Sequence, residues 1–179
     1  MAKRDEAITA VYAGTFDPVT LGHMDVIRRA AKLFNSLVIG VGRNPDKQEL
    51  FTQKERLVLL APHLRRLPSV RAEAYDGLTT DFARHCGARV LVRGIRDFTD
   101  LSFELLQANV NRTIGGVETA FLLSSDQHVL TSSTYIKQVY EMGGSNRKRI
   151  ERLVPSNVAR LLERKLGRQT VRRATKRKG

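Results

Sequence analysis

The sequence alternates short apolar runs with segments of helical period, and this alternation constrains the fold more than any other feature. Candidate strands cover Ile8–Ala13, Ser36–Val41, Val70–Tyr75, Arg89–Val92 and Glu118–Leu123. Candidate helices cover Met24–Phe34, Thr52–Leu64, Thr80–Cys86 and Phe98–Arg112. Strands and helices in regular alternation are typical of a parallel sheet covered by crossover helices. We therefore predict an α/β fold with a single-domain, Rossmann-like open parallel sheet.

The end of the chain is predicted to hold short helices and a basic tail. A helix is expected from about Ser133 to Met142, and a further helical segment from near Pro155 to about Gly167. The last twelve residues hold six Lys and Arg and no acidic residue, so they lack the apolar surface needed to become ordered. We expect one folded domain over residues 1–167 and a disordered basic tail over residues 168–179.

The positive charge is concentrated near the end of the chain. The formal net charge is +13, but residues 147–179 alone hold 13 Lys and Arg against 2 acidic residues. Residues 1–146 are nearly neutral, with 18 Lys and Arg against 16 acidic residues, and no aromatic residue follows Tyr140. Nucleic-acid-binding modules usually combine basic residues with interleaved aromatics. The alternative of a nucleic-acid-binding module is therefore disfavoured, and no specific nucleic acid partner is expected.

The composition also predicts a cellular location. No stretch approaches the roughly 18 apolar residues of a membrane span, and the charged first residues lack the apolar core of a secretory signal. Cys86 is the only cysteine, which excludes an internal disulfide and a cysteine-based metal cluster. We expect a cytoplasmic protein with no membrane partner, in which Cys86 is a buried structural thiol.

Residues 14–23 read GTFDPVTLGH and lie between the first predicted strand and the first predicted helix. The backbone N–H groups at a helix start are unpaired and favour an anion, and Gly14 and Gly22 would let a phosphate approach them closely. His23 adds a side-chain donor in or beside the first helical turn. The segment predicts a phosphate-binding turn, and the alternative is a purely structural loop.

A second segment carries two arginines that suit phosphate. Arg93 and Arg96 flank Gly94–Ile95 just past a predicted strand, and Asp100 and Glu104 follow. A guanidinium is always charged and can fork onto phosphate oxygens, so the two arginines could hold two different phosphates.

A third segment, TSSTYIK at residues 131–137, opens a predicted helix. The hydroxyls and backbone N–H groups of Ser132, Ser133 and Thr134 could hold further phosphates there. Ordinary helix capping accounts for one of these hydroxyls but not for all three. The segment therefore predicts a further phosphate site.

These three segments together resemble the nucleotidyltransferase superfamily with a T/H-x-G-H motif, and most closely its bacterial phosphopantetheine adenylyltransferases. The resemblance runs from about Ile8 to about Leu162. It implies reversible transfer of an adenylyl group from ATP to 4′-phosphopantetheine in coenzyme A biosynthesis, giving dephospho-coenzyme A and pyrophosphate. It also implies Mg²⁺ bound with ATP, and a homo-hexamer. The alternative is another adenylyl- or cytidylyltransferase, such as a nicotinamide mononucleotide adenylyltransferase, which the S-S-T-x-I-K pattern resembles more closely.

The resemblance also implies roles for individual residues. Thr15 would touch both substrates, and His23 would stabilise the transition state at the α-phosphate, with Lys47 and Arg96 as further catalytic residues. The 4′-phosphopantetheine site would contain Thr15, Lys47, Thr79 and Arg93. The ATP site would contain Thr15, Phe16, His23, Gly94, Ile95, Arg96, Glu104, His128, Val129, Leu130, Thr131, Ser132, Ser133 and Thr134. The sequence has no covalent-nucleophile motif and no metal-ligand spacing, so we expect positioning and electrostatics to supply the catalysis, without metal-binding side chains.

Overall fold

The computed structural model describes residues 7–44, 48–125, 131–141 and 150–165. The strands in these ranges are β1 (Thr9–Gly14), β2 (Ser36–Val41), β3 (Val70–Ala74), β4 (Val90–Ile95) and β5 (Glu118–Leu123). They form one sheet in the order β3-β2-β1-β4-β5, and every neighbouring pair is parallel. The predicted α/β fold with an open parallel sheet is confirmed.

The helices are α1 (Leu21–Leu33), α2 (Gln53–Leu64), α3 (Thr79–His85), α4 (Phe98–Gly115) and α5 (Ser133–Glu141). Residues 156–165 are also helical. A capping box opens α2, in which Thr52 and Glu55 each accept a hydrogen bond from the other's backbone N–H. α1 begins three residues before the predicted start because Thr20 caps it. The predicted tail, residues 168–179, lies outside the described residues.

β4 is longer than predicted, which corrects the placement of two site residues. We predicted Arg93 and Gly94 just past the strand, whereas β4 continues through both to Ile95. β5 pairs with this extension along its whole length, from Arg93 opposite Phe121 to Ile95 opposite Leu123. Strand pairing uses backbone atoms, so a neighbouring strand can hold polar residues in the ladder. The sheet, rather than a loop, therefore fixes the backbone of Arg93.

Apolar side chains cover both faces of the sheet. Ala10 and Tyr12 of β1 face a larger core with α1, α2 and α5, while Val11 and Ala13 face a smaller core with α3. This division follows from the alternation of side chains along a strand. Cys86 packs at the edge of the smaller core, half-buried rather than buried as predicted, and burial raises the pKa of its thiol.

α4 lies on the sheet with none of its residues buried. It carries large apolar side chains that are exposed, including Leu106 at 61% and Ile114 at 62%. Exposed apolar patches of this kind are typical of interfaces. Within the described ranges, no helix has both the length and the apolar character that crossing a membrane requires.

Candidate active site

A cavity of about 630 Å³ opens at the carboxyl ends of β1 and β4. β2 and β4 lie on opposite sides of β1, so this is the switch point at which open parallel sheets bind ligands. Ile95 is buried and does not line the cavity. Lys47, His128, Val129 and Leu130 lie outside the described residues. The other predicted site residues all line the cavity: Thr15, Phe16, His23, Thr79, Arg93, Gly94, Arg96, Glu104, Thr131, Ser132, Ser133 and Thr134.

His23 combines a structural contact with a place in the cavity wall. The Thr20 hydroxyl accepts from the backbone N–H of His23, and the backbone N–H of Thr20 donates to Nδ1 of His23, each at 3.1 Å. The two residues form the capping box of α1, with histidine where glutamate or glutamine is usual. Because Nδ1 accepts, the neutral imidazole carries its hydrogen on Nε2. His23 is therefore a hydrogen-bond donor at the cavity.

The imidazole of His23 is uncharged and closely packed. Burial lowers its pKa to about 3, and the charges of Arg96 and Arg93 act in the same direction. Phe16 packs edge-on against the imidazole, with ring centroids 4.9 Å apart, and is itself only 1% exposed. Tyr12, which we did not predict, packs against Phe16 and lines the cavity, and burial raises its pKa. Phe16 and Tyr12 thus form a rigid wall behind His23.

Each arginine of the second segment is paired with an acidic residue of α4. Nε of Arg96 donates to Oδ2 of Asp100 at 2.7 Å, and Nη2 donates to Oδ1 at 2.9 Å. Arg93 makes the same two-pronged contact with Glu104, and its Nη1 donates to the carbonyl of Ala13 at 2.7 Å. The hydrogen bonds that Arg96 donates to Asp100 raise the pKa of Arg96. Burial alone would lower the pKa of Arg93, but Glu104 raises it overall.

Arg56 of α2 links two loops of the cavity, a role that we did not predict. Its side chain is 1% exposed. Nη1 donates to the carbonyls of Thr15 at 2.7 Å and Gly42 at 2.9 Å, and Nη2 pairs with Glu49 at 2.8 Å. Thr15 directly follows β1 and Gly42 directly follows β2. Two of the acceptors are backbone carbonyls. Every residue has one, so the sequence does not show which carbonyls Arg56 contacts.

The hydroxyl of Ser133 forms a hydrogen bond within the protein. It donates to the carbonyl of Pro18 at 2.9 Å, so it has no hydrogen left for a phosphate. We predicted that the hydroxyls of Ser132, Ser133 and Thr134 would all bind phosphates, and the structure pairs that of Ser133 with Pro18 instead. The start of α5 still provides backbone N–H groups for an anion.

Other residues of the third segment also contact the first. Thr131 Oγ1 accepts from the backbone N–H of Gly22 at 3.1 Å, and Lys137 Nζ pairs with Asp17 at 2.5 Å. Asp17 is buried and accepts from two backbone N–H groups of the segment that follows β2. The first and third segments are therefore joined directly, and Asp17 extends the connection to a third loop.

The side of the cavity near α3 is built from aromatic and small residues. The hydroxyl groups of Thr79 and Tyr75 lie 2.8 Å apart, and Tyr75 stacks on Phe82 with ring centroids 4.4 Å apart. A Cβ atom at Gly42 would lie 2.9 Å from the Tyr75 ring, so a side chain at this position would force the ring to shift. Tyr75 and Gly42 line the cavity beside Thr79, and we predicted neither of them.

The described wall of the cavity carries little net charge. Its ionised side chains are Arg43, Arg93, Arg96, Asp100 and Glu104. Three positive charges against two negative ones leave a single positive unit, because His23 is neutral. Among the residues that the structure describes, no group of three or more His, Cys, Asp or Glu is placed to hold a metal ion.

Known proteins of similar sequence place the chain in a family. Residues 11–139 match the cytidylyltransferase-like family model. A phosphopantetheine adenylyltransferase of Rhodopirellula baltica is 42% identical over 163 residues, which cover 90% of each chain. Those of Cupriavidus necator and Thermosynechococcus vestitus are 40% and 39% identical, covering 90% and 86% of this chain and 98% and 90% of their own.

Solved structures share the fold. A protein of Vibrio parahaemolyticus described as a nicotinate-nucleotide adenylyltransferase is similar with a TM-score of 0.59 at 19% identity, over 88% of this chain and 99% of its own. A bifunctional NMN adenylyltransferase/ADP ribose pyrophosphatase of Francisella tularensis gives a TM-score of 0.57 at 17% identity, over 77% of this chain and 43% of its own. Given 40% identity along nearly the whole chain, this nucleotidyltransferase belongs to the phosphopantetheine adenylyltransferase family.

Proposed function

We propose that the protein transfers the adenylyl group of ATP to the phosphate of 4′-phosphopantetheine, giving dephospho-coenzyme A and pyrophosphate in coenzyme A biosynthesis. One observation carries the proposal: the neutral donor His23 and the arginines Arg93 and Arg96 line one cavity at the carboxyl ends of β1 and β4. The names of relatives that match nearly the whole chain support the choice of substrates.

The proposed reaction needs no proton transfer by the protein. An oxygen of the acceptor phosphate attacks the α-phosphorus of ATP, and the bond from that phosphorus to the β-phosphate oxygen breaks. A phosphate monoester is largely unprotonated above about pH 6, so its oxygen attacks without a general base. Pyrophosphate leaves as an anion and can attack in the reverse direction. Catalysis then depends on alignment and on fixed positive groups.

The residues at the α-phosphate have separate roles in this reaction. His23 donates its Nε2 hydrogen to a non-bridging oxygen, whose negative charge is redistributed as the five-coordinate transition state forms. Arg96 adds positive charge, and Lys47, outside the described residues, is assigned a similar catalytic role. Arg93 binds the acceptor phosphate, with Lys47 as a second ligand. Thr15 contacts both substrates, and Thr79 contacts the pantetheine arm.

The triphosphate is assigned to the start of α5 and the end of β4. Ser132 and Thr134 supply hydroxyls, and Ser133 supplies its backbone N–H. The rest of the proposed ATP site comprises Phe16, Gly94, Glu104 and Thr131, together with His128, Val129 and Leu130 from outside the described residues.

ATP enters the proposed reaction as its Mg²⁺ complex. Two phosphate substrates bring several negative charges, whereas the described wall supplies a single net positive charge. Mg²⁺ prefers phosphate oxygens and water to an all-protein cage. The ion therefore belongs to the nucleotide substrate, and the side chains bind the complex.

We further propose a cytoplasmic homo-hexamer. The exposed apolar side chains of α4 support self-association, because two copies of the same patch would shield one another from water.

Pyrophosphate release with one acceptor at a time tests the proposed function. With Mg²⁺ and ATP, we expect release with 4′-phosphopantetheine and little with nicotinamide mononucleotide. Equal or faster turnover with nicotinamide mononucleotide would contradict the proposed acceptor. No release with any phosphate acceptor would contradict adenylyl transfer itself.

A further inference from the structure

The net positive charge of the described cavity wall lies on Arg43. Arg93 and Arg96 each form a two-pronged contact with a carboxylate of α4 that also lines the cavity. Arg43 lines the same cavity, but the described wall holds no further carboxylate to pair with it. A phosphate that enters the cavity therefore meets one cation whose charge the described wall does not balance.

A carboxylate outside the wall, that of Glu49, lies near Arg43 but is shared with another arginine. Nε of Arg43 lies 3.4 Å from Oε1 of Glu49. Nη2 of Arg56 donates to the same oxygen at 2.8 Å, so it makes the stronger bond of the two. The side chain of Arg56 is 1% exposed and that of Arg43 is 62% exposed. Glu49 therefore mainly balances the buried Arg56.

The guanidinium of Arg43 keeps donors for a ligand. Among the described residues, its contact with Glu49 engages Nε alone. The two Nη nitrogens carry four more N–H groups in one plane. Such a planar fork matches two oxygens of one phosphate and forms charge-assisted hydrogen bonds with them.

The backbone places Arg43 across the end of β1 from Arg93. Arg43 directly follows Gly42, whose backbone N–H donates to the carbonyl of Gly14 at 2.9 Å. Arg93 donates to the carbonyl of Ala13, the preceding residue of β1, at 2.7 Å. β2 and β4 flank β1, so the two arginines approach the end of β1 from opposite sides. Arg93 is the residue that the proposed function assigns to the acceptor phosphate.

The residues beside Gly42 also belong to the proposed acceptor site. A Cβ atom at Gly42 would lie 2.9 Å from Tyr75, and the hydroxyl of Tyr75 lies 2.8 Å from that of Thr79. The proposed function assigns Thr79 to the pantetheine arm. The chain that carries Arg43 is thus next to the arm on one side and to the end of β1 on the other.

We infer that Arg43 is a further ligand of the acceptor, whose Nη groups bind the phosphate of 4′-phosphopantetheine rather than the triphosphate of ATP. The inference deepens the proposed function and rests on it, because that proposal places the acceptor beside Thr79 and Arg93. The acceptor phosphate carries about two negative charges near pH 7. Arg93 offers it donors but is already paired with a carboxylate, so Arg43 supplies the uncompensated charge.

Calorimetric titration of Arg43→Gln tests the inference. The two ligands, titrated separately, are 4′-phosphopantetheine and α,β-methylene-ATP with Mg²⁺. We expect the acceptor to bind about 10-fold more weakly, as for the loss of a hydrogen bond to a charged group, and the nucleotide analogue to change by less than about twofold. In steady-state kinetics, KM for the acceptor should rise by a similar factor with kcat little changed.

Arg66→Gln is the matched control. Arg66 is exposed in the turn after α2 and does not line the cavity, so the variant removes the same charge away from the site. We expect it to change neither affinity by more than about twofold. Arg43→Lys keeps the charge but not the planar fork, so we expect it to recover part of the acceptor affinity.

Salt separates a contact with the phosphate from a contact with the uncharged pantetheine arm. Between about 0.05 M and about 0.5 M NaCl, we expect the acceptor affinity of the wild type to fall more steeply than that of Arg43→Gln, because exposed charge pairs are screened. An equal dependence on salt in the two proteins would exclude a contact between Arg43 and the phosphate.

Other results would also overturn the inference. Weaker binding of the nucleotide analogue alone would place Arg43 in the ATP site. An unchanged acceptor affinity in Arg43→Gln, or an equal loss in Arg66→Gln, would show that Arg43 is not a ligand. Failure of the proposed function is detected separately, as a wild-type protein that releases no pyrophosphate with 4′-phosphopantetheine. That result would remove both proposals.

Discussion

Arg56 and Thr15 are 41 residues apart in the sequence, yet Nη1 of Arg56 donates to the carbonyl of Thr15 at 2.7 Å. The same nitrogen donates to the carbonyl of Gly42 at 2.9 Å. One buried cation thus sets the separation of the loops that follow β1 and β2. Burial of a charge is costly, and an apolar side chain of similar size often stabilises a core as well. The benefit of Arg56 therefore lies in the geometry of the cavity.

Replacing Arg56 with Met should reduce activity more than stability. The methionine has an apolar side chain of similar length, but it donates no hydrogen bond to the carbonyls of Thr15 and Gly42. A displacement of about 1 Å at a reacting group can cost about 100-fold, so we expect kcat/KM to fall about 10- to 100-fold. Steady-state kinetics and melting temperature on the same preparation measure both effects.

The matched control for Arg56→Met is Leu60→Val, a core change on the same helix away from the loops. We expect it to lower stability by about 1 kcal/mol and to leave kcat/KM unchanged. Normal kinetics in Arg56→Met would show that the arginine is only a packing residue.

Replacing His23 with Ala should remove two functions at once. Loss of the Nε2 donor is expected to reduce turnover about 10²- to 10³-fold. Loss of the contact between Nδ1 and Thr20 is expected to cost about 1 kcal/mol of stability. Thr52→Ala provides the control, because it breaks the equivalent capping box of α2 and Thr52 does not line the cavity. It should lose similar stability and keep its turnover, whereas normal turnover in His23→Ala would remove His23 from the catalytic residues.

His23 should also make the protein less stable in acid. Its pKa falls from 6.5 to about 3 on folding. Between these values the unfolded chain binds a proton that the folded chain does not, so stability decreases as pH falls below about 6.5. At about pH 5 the expected loss from this one group is about 2 kcal/mol.

Urea unfolding at several pH values and one fixed protein concentration measures this dependence. The wild type should lose about 2 kcal/mol more than His23→Ala between about pH 7.5 and pH 5. Equal losses in the two proteins would show that His23 titrates normally in the folded state.

The exposed face of α4 predicts a change of assembly on substitution. We expect Leu106→Glu combined with Ile114→Glu to convert the wild-type oligomer into smaller folded species, because charges on both contacting copies would be desolvated. Analytical ultracentrifugation measures the mass. Leu33→Glu is the control, since Leu33 is 65% exposed on α1. A monomeric wild type would contradict the proposal of a hexamer.

Local signals in the sequence were sufficient to predict the order and approximate bounds of the strands and helices. The apolar runs, the Thr52–Glu55 capping box and the glycines of the first segment each act over a few residues. The predicted end of β4 was wrong because Arg93 and Gly94 are not typical strand residues. Their extended conformation depends on pairing with β5, which the sequence does not show.

Most of the predicted site residues that the structure describes were brought into one cavity, but their partners could not be predicted. Arg56 contacts backbone carbonyls, which any sequence supplies. The capping role of His23 was missed because that position usually holds Glu or Gln. The spacing of Asp100 and Glu104 was visible, but their choice of Arg96 and Arg93 depends on how α4 packs on the sheet.

The bonds between Asp17 and Lys137, and between Pro18 and Ser133, make the first and third segments one unit. Changes in one segment must therefore be compensated in the other, and we expect the two to covary among homologues. A distant homologue could keep GTFDPxTxGH but lack the lysine at position 137. Its first segment would then have the same motif, but the loop that carries the motif would be displaced. The pair of segments is accordingly a better criterion for assigning activity to such homologues than either motif by itself.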